Sequence, residues 1–219
     1  MTLAGVSLAP RAIWAAGADT PFDLVLVLDT SPSMADPDRF IAAGAHLAAL
    51  ELSVGDRVAV ITTGSRVKWH SGLTSDRAVI ERTFRNVVHT AIVSTGKRLL
   101  YDAAWSAVEG LPITVDGRRR SIILITNDAD RGSTHSPEEL ARASRTKDVT
   151  IRAFLIRDPY PANHSPYSGP PRRPPYPDIE FAANELRAAT DPTGGAVSFL
   201  NMDGYILTKA IVACKGGDK

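Results

Sequence analysis

Asp29, Ser31 and Ser33 fall at alternate positions immediately after an apolar run, Leu24 to Leu28. In a loop opening at the carboxyl end of a strand, that spacing turns one carboxylate and two hydroxyls toward a common point. Hard oxygens converging in this way suit Mg2+ or Mn2+, which take near-octahedral oxygen coordination and keep several waters. The same residue types also make a helix cap after a strand. What must position them is the run before them, rich in leucine and valine, as expected of a strand buried on both faces of a parallel sheet.

The other elements alternate around that strand. Asp36-Pro37 opens a helix reaching about Leu52, with Phe40, Ala43, Leu47 and Leu50 on one apolar stripe. Arg57 to Thr62 is a second strand, and Val67 to His70 a short antiparallel edge strand whose lysine and histidine discourage edge pairing. A helix follows Ser75-Asp76 to about Val88, with Val79, Phe84 and Val87 inward. The next spans Gly96 to Gly110, with Leu99, Leu100, Ala103, Ala107 and Leu111 spaced for burial. Ser121 to Thr126 and Val149 to Ile156 read as further buried strands, separated by a helix with a Ser136/Glu139 capping box. Asp178 to Thr190, Ala196 to Leu200 and Met202 to Ala213 complete the order as helix, strand and helix. Strands alternating with helices predict an α/β fold, doubly wound about a mostly parallel sheet.

Composition narrows the function. A 219-residue chain that is 44% hydrophobic has enough apolar material for one sizeable core. A net charge of +1 gives no field favouring nucleic acid or an anionic membrane. The single cysteine, Cys214, excludes an internal disulfide framework, and no stretch has the length of a membrane span. Residues 1–20 read as an N-terminal tail or the remnant of a secretion signal, residues 21–214 as one domain, and 215–219 as a C-terminal tail. Within the domain, 157–177 is a proline-rich insertion holding eight of the fifteen prolines and three of the five tyrosines. Such a tract favours extended backbone that cannot pair in a sheet. Its place after a parallel strand puts it on the same rim as Asp29. The five histidines are dispersed, with no zinc motif and no triad beside a serine elbow.

Asp29-Thr30-Ser31-Pro32-Ser33, placed after a buried strand and followed by Met34, resembles the opening of the metal-ion-dependent adhesion site of the von Willebrand factor A (VWA) family, Asp-x-Ser-x-Ser. The resemblance extends over about residues 22–213 and is nearest to bacterial VWA-related proteins. Arg98-Leu99-Leu100-Tyr101-Asp102-Ala103 stands where that family has Thr-Ala-Leu-Tyr-Asp-Ala, and Thr126-Asn127-Asp128 stands for Thr-Asp-Gly. Thr193-Gly194-Gly195 is similar to the family's closing Ala-Thr-Gly-Gly. The resemblance implies a Rossmann-like six-stranded sheet with one antiparallel edge strand and helices on both faces. It also implies a binding module, not an enzyme, in which a metal held by Asp29, Ser31, Ser33 and the Asn127 position receives an exposed Asp or Glu of a protein partner. The bacterial relatives point to a secreted or periplasmic setting.

Two departures bear on that metal. The ligand threonine is replaced by Arg98, and the aspartate by Asn127. Like unit charges ~4 Å apart cost about 4 kcal/mol at an effective dielectric of 20, twice that for a divalent ion, enough to abolish a weak Mg2+ site. The reading favoured is that Arg98 takes the cation's place, pairing with Asp29 and bonding the serine hydroxyls, so that the site works without Mg2+ or Mn2+. The alternative keeps the metal, with Thr95 and Asp128 as substitutes. On the first reading an acidic partner meets Arg98, helped by Tyr160, Tyr167, Arg172 and Arg173 of the insertion. An aspartyl-nucleophile phosphatase is a weaker alternative, since a serine occupies the position of the usual second aspartate. A purely structural domain is another.

Overall fold

A computed structural model of the chain describes residues 20–34, 40–87, 97–113, 117–157 and 179–216. The strands are β1 (Phe22–Asp29), β2 (Arg57–Thr63), β3 (Lys68–Thr74), β4 (Arg119–Thr126), β5 (Thr150–Arg157) and β6 (Val197–Asn201). They form one sheet in the order β3-β2-β1-β4-β5-β6, all pairs parallel except the antiparallel β2–β3 edge. Every residue of β1 is buried, which follows from its having a strand on each edge and helices over each face.

Pleating sends alternate side chains of β1 into two cores. Leu24, Leu26 and Leu28 pack with α1 (Ala45–Leu50) and α2 (Arg77–Val87), and with α6 (Ile206–Gly216). Val25 and Val27 pack with α3 (Leu100–Gly110), α4 (Pro137–Thr146) and α5 (Ile179–Thr190). The fold is thus the doubly wound, Rossmann-like α/β sheet. From β1 the chain runs outward to β2 and β3, then returns to β4 on the other side. The crevice between the carboxyl ends of β1 and β4 is therefore a topological switch point, where ligands bind in open α/β sheets.

The opposite end of the sheet is clamped by charge. Asp23, fully buried, takes Arg57 Nε at 2.7 Å and Arg118 Nε at 2.8 Å, so one carboxylate ties the starts of β1 and β2 to the segment entering β4.

Several expected elements move. The stripe Phe40, Ala43, Leu47 and Leu50 faces solvent, and Ile41, Ala45, Ala48 and Ala49 are buried instead. The reason is proximity: a Cβ on Gly44 would lie 2.2 Å from the Gly204 carbonyl oxygen, so only small residues fit where α1 meets the entry to α6. The edge strand extends to Thr74, and in α2 Phe84 and Val87 are buried as expected, with Ile80 buried in place of Val79, which is only half-buried. The last helix starts at Ile206, later than Met202, because the Asp203 carboxylate accepts the Tyr205 N–H at 2.9 Å and holds a turn there. The expected Ser136/Glu139 capping box is present at α4. The predicted helix entry at Asp36-Pro37 and the proline-rich insertion from 158 onward lie outside the described residues.

Candidate functional site

The loop after β1 is shaped by its own polar residues. Asp29 Oδ1 accepts the Ser31 N–H at 2.8 Å, and a short 3-10 turn, Pro32–Met34, follows, anchored by the buried Met34. This turn presents Ser31 and Ser33, whose hydroxyls lie 3.1 Å apart. From β4, Thr126 donates its hydroxyl to Asp29 Oδ2 at 2.7 Å. Asn127 binds Ser33 twice, donating Nδ2–H to its carbonyl and accepting its hydroxyl, both at 2.9 Å. An amide does both tasks; a carboxylate, having no donor, would face the Ser33 carbonyl lone pairs. Because the Ser33 proton goes to Asn127, Ser31 is the donor in the Ser31–Ser33 contact.

Arg98 fills the centre. Its Nε lies 2.7 Å from Asp29 Oδ2 as an ion pair whose N–H is not aligned for a hydrogen bond. Nη1 lies 2.9 Å from Asp128 Oδ2 and donates to the Ala129 carbonyl at 2.9 Å. Nη2 donates to Ser31 Oγ at 3.1 Å and Ser33 Oγ at 3.2 Å. Arg98 is 6% exposed, Asp29 fully buried and Ser31 4% exposed. The backbone delivers this guanidinium through a two-residue antiparallel bridge, with Arg98 N–H to the Arg131 carbonyl at 3.0 Å and Arg131 N–H to the Arg98 carbonyl at 2.8 Å. Arg131 pairs with Asp128 at 3.2 Å and stays 63% exposed.

Tested against a divalent ion, this donor set does not fit. Both serine hydroxyls accept from Arg98, both Asp29 oxygens are engaged, and two guanidiniums balance the charges of Asp29 and Asp128. An ion would have to displace Arg98 from a buried ion pair, which costs several kcal/mol. The same engagement makes Asp29 a poor nucleophile, since neither oxygen is directed at open space.

Of the sequence candidates, Asp29, Ser31, Ser33, Arg98, Asn127 and Asp128 converge on this point. Thr95, Tyr160, Tyr167, Arg172 and Arg173 lie outside the described residues. Asp128 acts as the second carboxylate of Arg98. Receipt of a partner's carboxylate by Arg98 itself would require one of its present bonds to open. Sequence reasoning missed Thr126, the Ala129 carbonyl and Arg131. Thr126 was accessible through register, because Leu28 pairs with Ile125 and Asp29 and Thr126 are the residues that follow them in the two strands.

Beside this centre lies a second polar cluster that sequence reasoning also missed. Asp102, in the first turn of α3, accepts from the Thr134 and His135 backbone N–H groups, the Thr134 hydroxyl at 3.0 Å and His135 Nδ1 at 2.7 Å. Trp105 stacks on the His135 ring at 4.1 Å. Burial opposes ionisation of Asp102, but the bonds from His135 and Thr134 outweigh it and hold the carboxyl below its usual range. The cluster ties the loop after β4 to α3.

Residues 24–130, from β1 through the loop that carries Asn127 and Asp128, match the family model of the von Willebrand factor type A domain. The chain carries a VWA domain. No curated protein matches the sequence. Among solved structures, this VWA domain is similar to the conserved hypothetical protein BatB from Bacteroides thetaiotaomicron, with a TM-score of 0.65 and 14% identity over 89% of this chain and 98% of that one. A von Willebrand factor type A protein from Catenulispora acidiphila matches with a TM-score of 0.59 and 18% identity, covering 90% of this chain and 42% of that one. Proximal thread matrix protein 1 from the mussel byssus, in a form described as having a zinc-occupied MIDAS motif, matches with a TM-score of 0.63 and 17% identity over 90% of this chain and 45% of that one. At these identities the likeness is one of fold.

Proposed function

We propose that this VWA domain is a metal-independent protein-interaction module in which the Arg98 guanidinium takes the place of the divalent ion. What supports this reading is the position of Arg98, bonded at once to Asp29, Asp128, Ser31 and Ser33. The charge that a metal would bring arrives on the chain itself and preorganises both loops. An acidic group of a protein partner then meets the rim at Arg131 and Lys97, which are exposed. Lys97 lies along Gly132, one residue after Arg131. Tyr160, Tyr167, Arg172 and Arg173 are further contact candidates from the insertion. The module has no catalytic role on this reading.

Calorimetric titration of Mg2+ and Mn2+ into the native protein and into an Arg98→Thr, Asn127→Asp double variant tests it. Silence from the native protein and a saturating isotherm from the variant are expected. Saturable binding by the native protein would overturn the reading and restore a metal-dependent module using Asp29, Ser31 and Ser33.

A further inference from the structure

Among the described residues nine large apolar side chains are exposed, and six of them share one face of the molecule: Phe40, Leu47, Leu50 and Val54 along α1, and Tyr205 and Val212 along α6. Phe40 stands in the helical turn before α1, joined to it by the Gly44 N–H, which donates to the Phe40 carbonyl at 3.0 Å, and Val54 stands in the turn after it. The two helices run side by side in the same direction. At their upper ends Gly44 abuts Gly204. At their lower ends Lys215 Nζ donates to the Glu51 carbonyl and to the Ser53 hydroxyl, each at 2.7 Å. Because the close contact with α6 admits only the alanine side of α1, the leucines are left outside. Phe40, Leu47 and Val54 follow one another at intervals of seven residues, as do Tyr205 and Val212, so each helix shows a continuous apolar stripe.

Exposures of 36–97% on these six side chains leave about 600 Å² of apolar surface open, the upper end of what a typical monomer carries in one patch. Two such faces together bury about 1,200 Å², the lower bound for a specific interface. The stripe on α1 also reads nearly the same in both directions, with Leu47 at its midpoint and Phe40 and Val54 equally far on either side. A fitting partner presents that pattern reversed, and a second copy turned about a two-fold axis through Leu47 does so. The axis sets Leu47 against Leu47, Phe40 against Val54 and Glu51 against Ala43, which keeps like charges apart; the nearby His46 and Lys209 are engaged within the chain, with Glu81 and Asp203. We propose that the α1–α6 face is the interface of a symmetric, reversible dimer of this chain. It covers the sheet face opposite α3 and includes none of the residues around Arg98, so the pairing does not depend on how the rim is read. The axis exchanges upper and lower ends, which points the two rims in opposite directions; on the reading of the rim proposed above, a dimer bridges two partner molecules.

The test is sedimentation equilibrium of the full chain over a concentration range reaching about 1 mM, on the native protein and on Leu47→Glu and Leu47→Lys. The native mass is expected to rise with concentration from one chain toward two and no further. Each variant alone should associate at least about tenfold more weakly, because the axis brings two like charges face to face. An equimolar mixture of the two variants should recover association, since glutamate then meets lysine. Leu47 points away from the core, so circular dichroism of both variants should match the native spectrum. A mass of one chain at every concentration, as where residues 1–19 or a different protein cover the face, overturns the proposal. So does native-like association of Leu47→Glu, or a mixture that fails to recover. Mg2+ binding by the native protein would defeat the metal-free reading of the rim without touching this result.

Discussion

Arg98 holds two carboxylates and two hydroxyls from a position almost closed to solvent, so its removal strands charge in the interior. Replacing it by alanine leaves Asp29 buried with only neutral partners, and breaking such a pair from one side costs about 3–5 kcal/mol. Urea unfolding should read that loss as a lower midpoint with an unchanged slope. Asn127→Asp alone should cost about 1–3 kcal/mol, because the Ser33 carbonyl loses its donor. It should not create metal binding while Arg98 is present, a separation that calorimetry on the single variant checks. The candidate centre was legible to the extent that it depends on short spacing: Asp29, Ser31 and Ser33 share one turn, and Arg98 and Asn127 stand at named offsets from neighbouring motifs. The Ala129 carbonyl was not legible, because a backbone oxygen carries no residue-type signal. Nor was the Asp102–His135 pair, made by residues 33 apart that the topology brings together.

At the scale of elements, helix phase is where composition misled. Weighting by hydrophobicity turns Phe40, Leu47 and Leu50 inward, but the close approach of Gly44 to Gly204 admits only the alanine face of α1. Gly44→Ala should therefore push α1 and the entry to α6 apart, at about 1–3 kcal/mol, typical of an overpacked contact. By contrast, Leu50→Glu on the exposed face should stay within about 0.5 kcal/mol of the native protein. Thermal denaturation of the two variants side by side decides between the phases, and a large loss from Leu50→Glu would reverse the assignment. The strands were easier to read because β1, β2, β4 and β5 are buried on both faces, and unbroken apolar runs carry no phase to mistake.

Across the whole molecule, two carboxylates held by hydrogen bonds, Asp23 fully buried and Asp102 half-buried, shape the response to acid. Asp23 clamps the lower end of the sheet. Burial works against its ionisation, but Arg57 and Arg118 outweigh that and hold its pKa below the usual value; Asp102 behaves likewise at the rim. A carboxylate with a lowered folded-state pKa contributes stability that is fully present above the unfolded value of about 4 and is lost as pH falls through the folded value. The unfolding free energy should thus drop as pH is lowered from about 4, and an Asp23→Asn variant should show a shallower drop from a lower starting point. Chemical denaturation at stepped pH measures both. The two-residue bridge between Arg98 and Arg131 has a consequence of another kind. An ion in such a rim can be stripped by EDTA, whereas a guanidinium fastened to the backbone on both sides cannot be chelated. Melting temperature and partner capture should be the same with and without the chelator, so that the module's working state follows the fold and not the divalent-ion content of its surroundings.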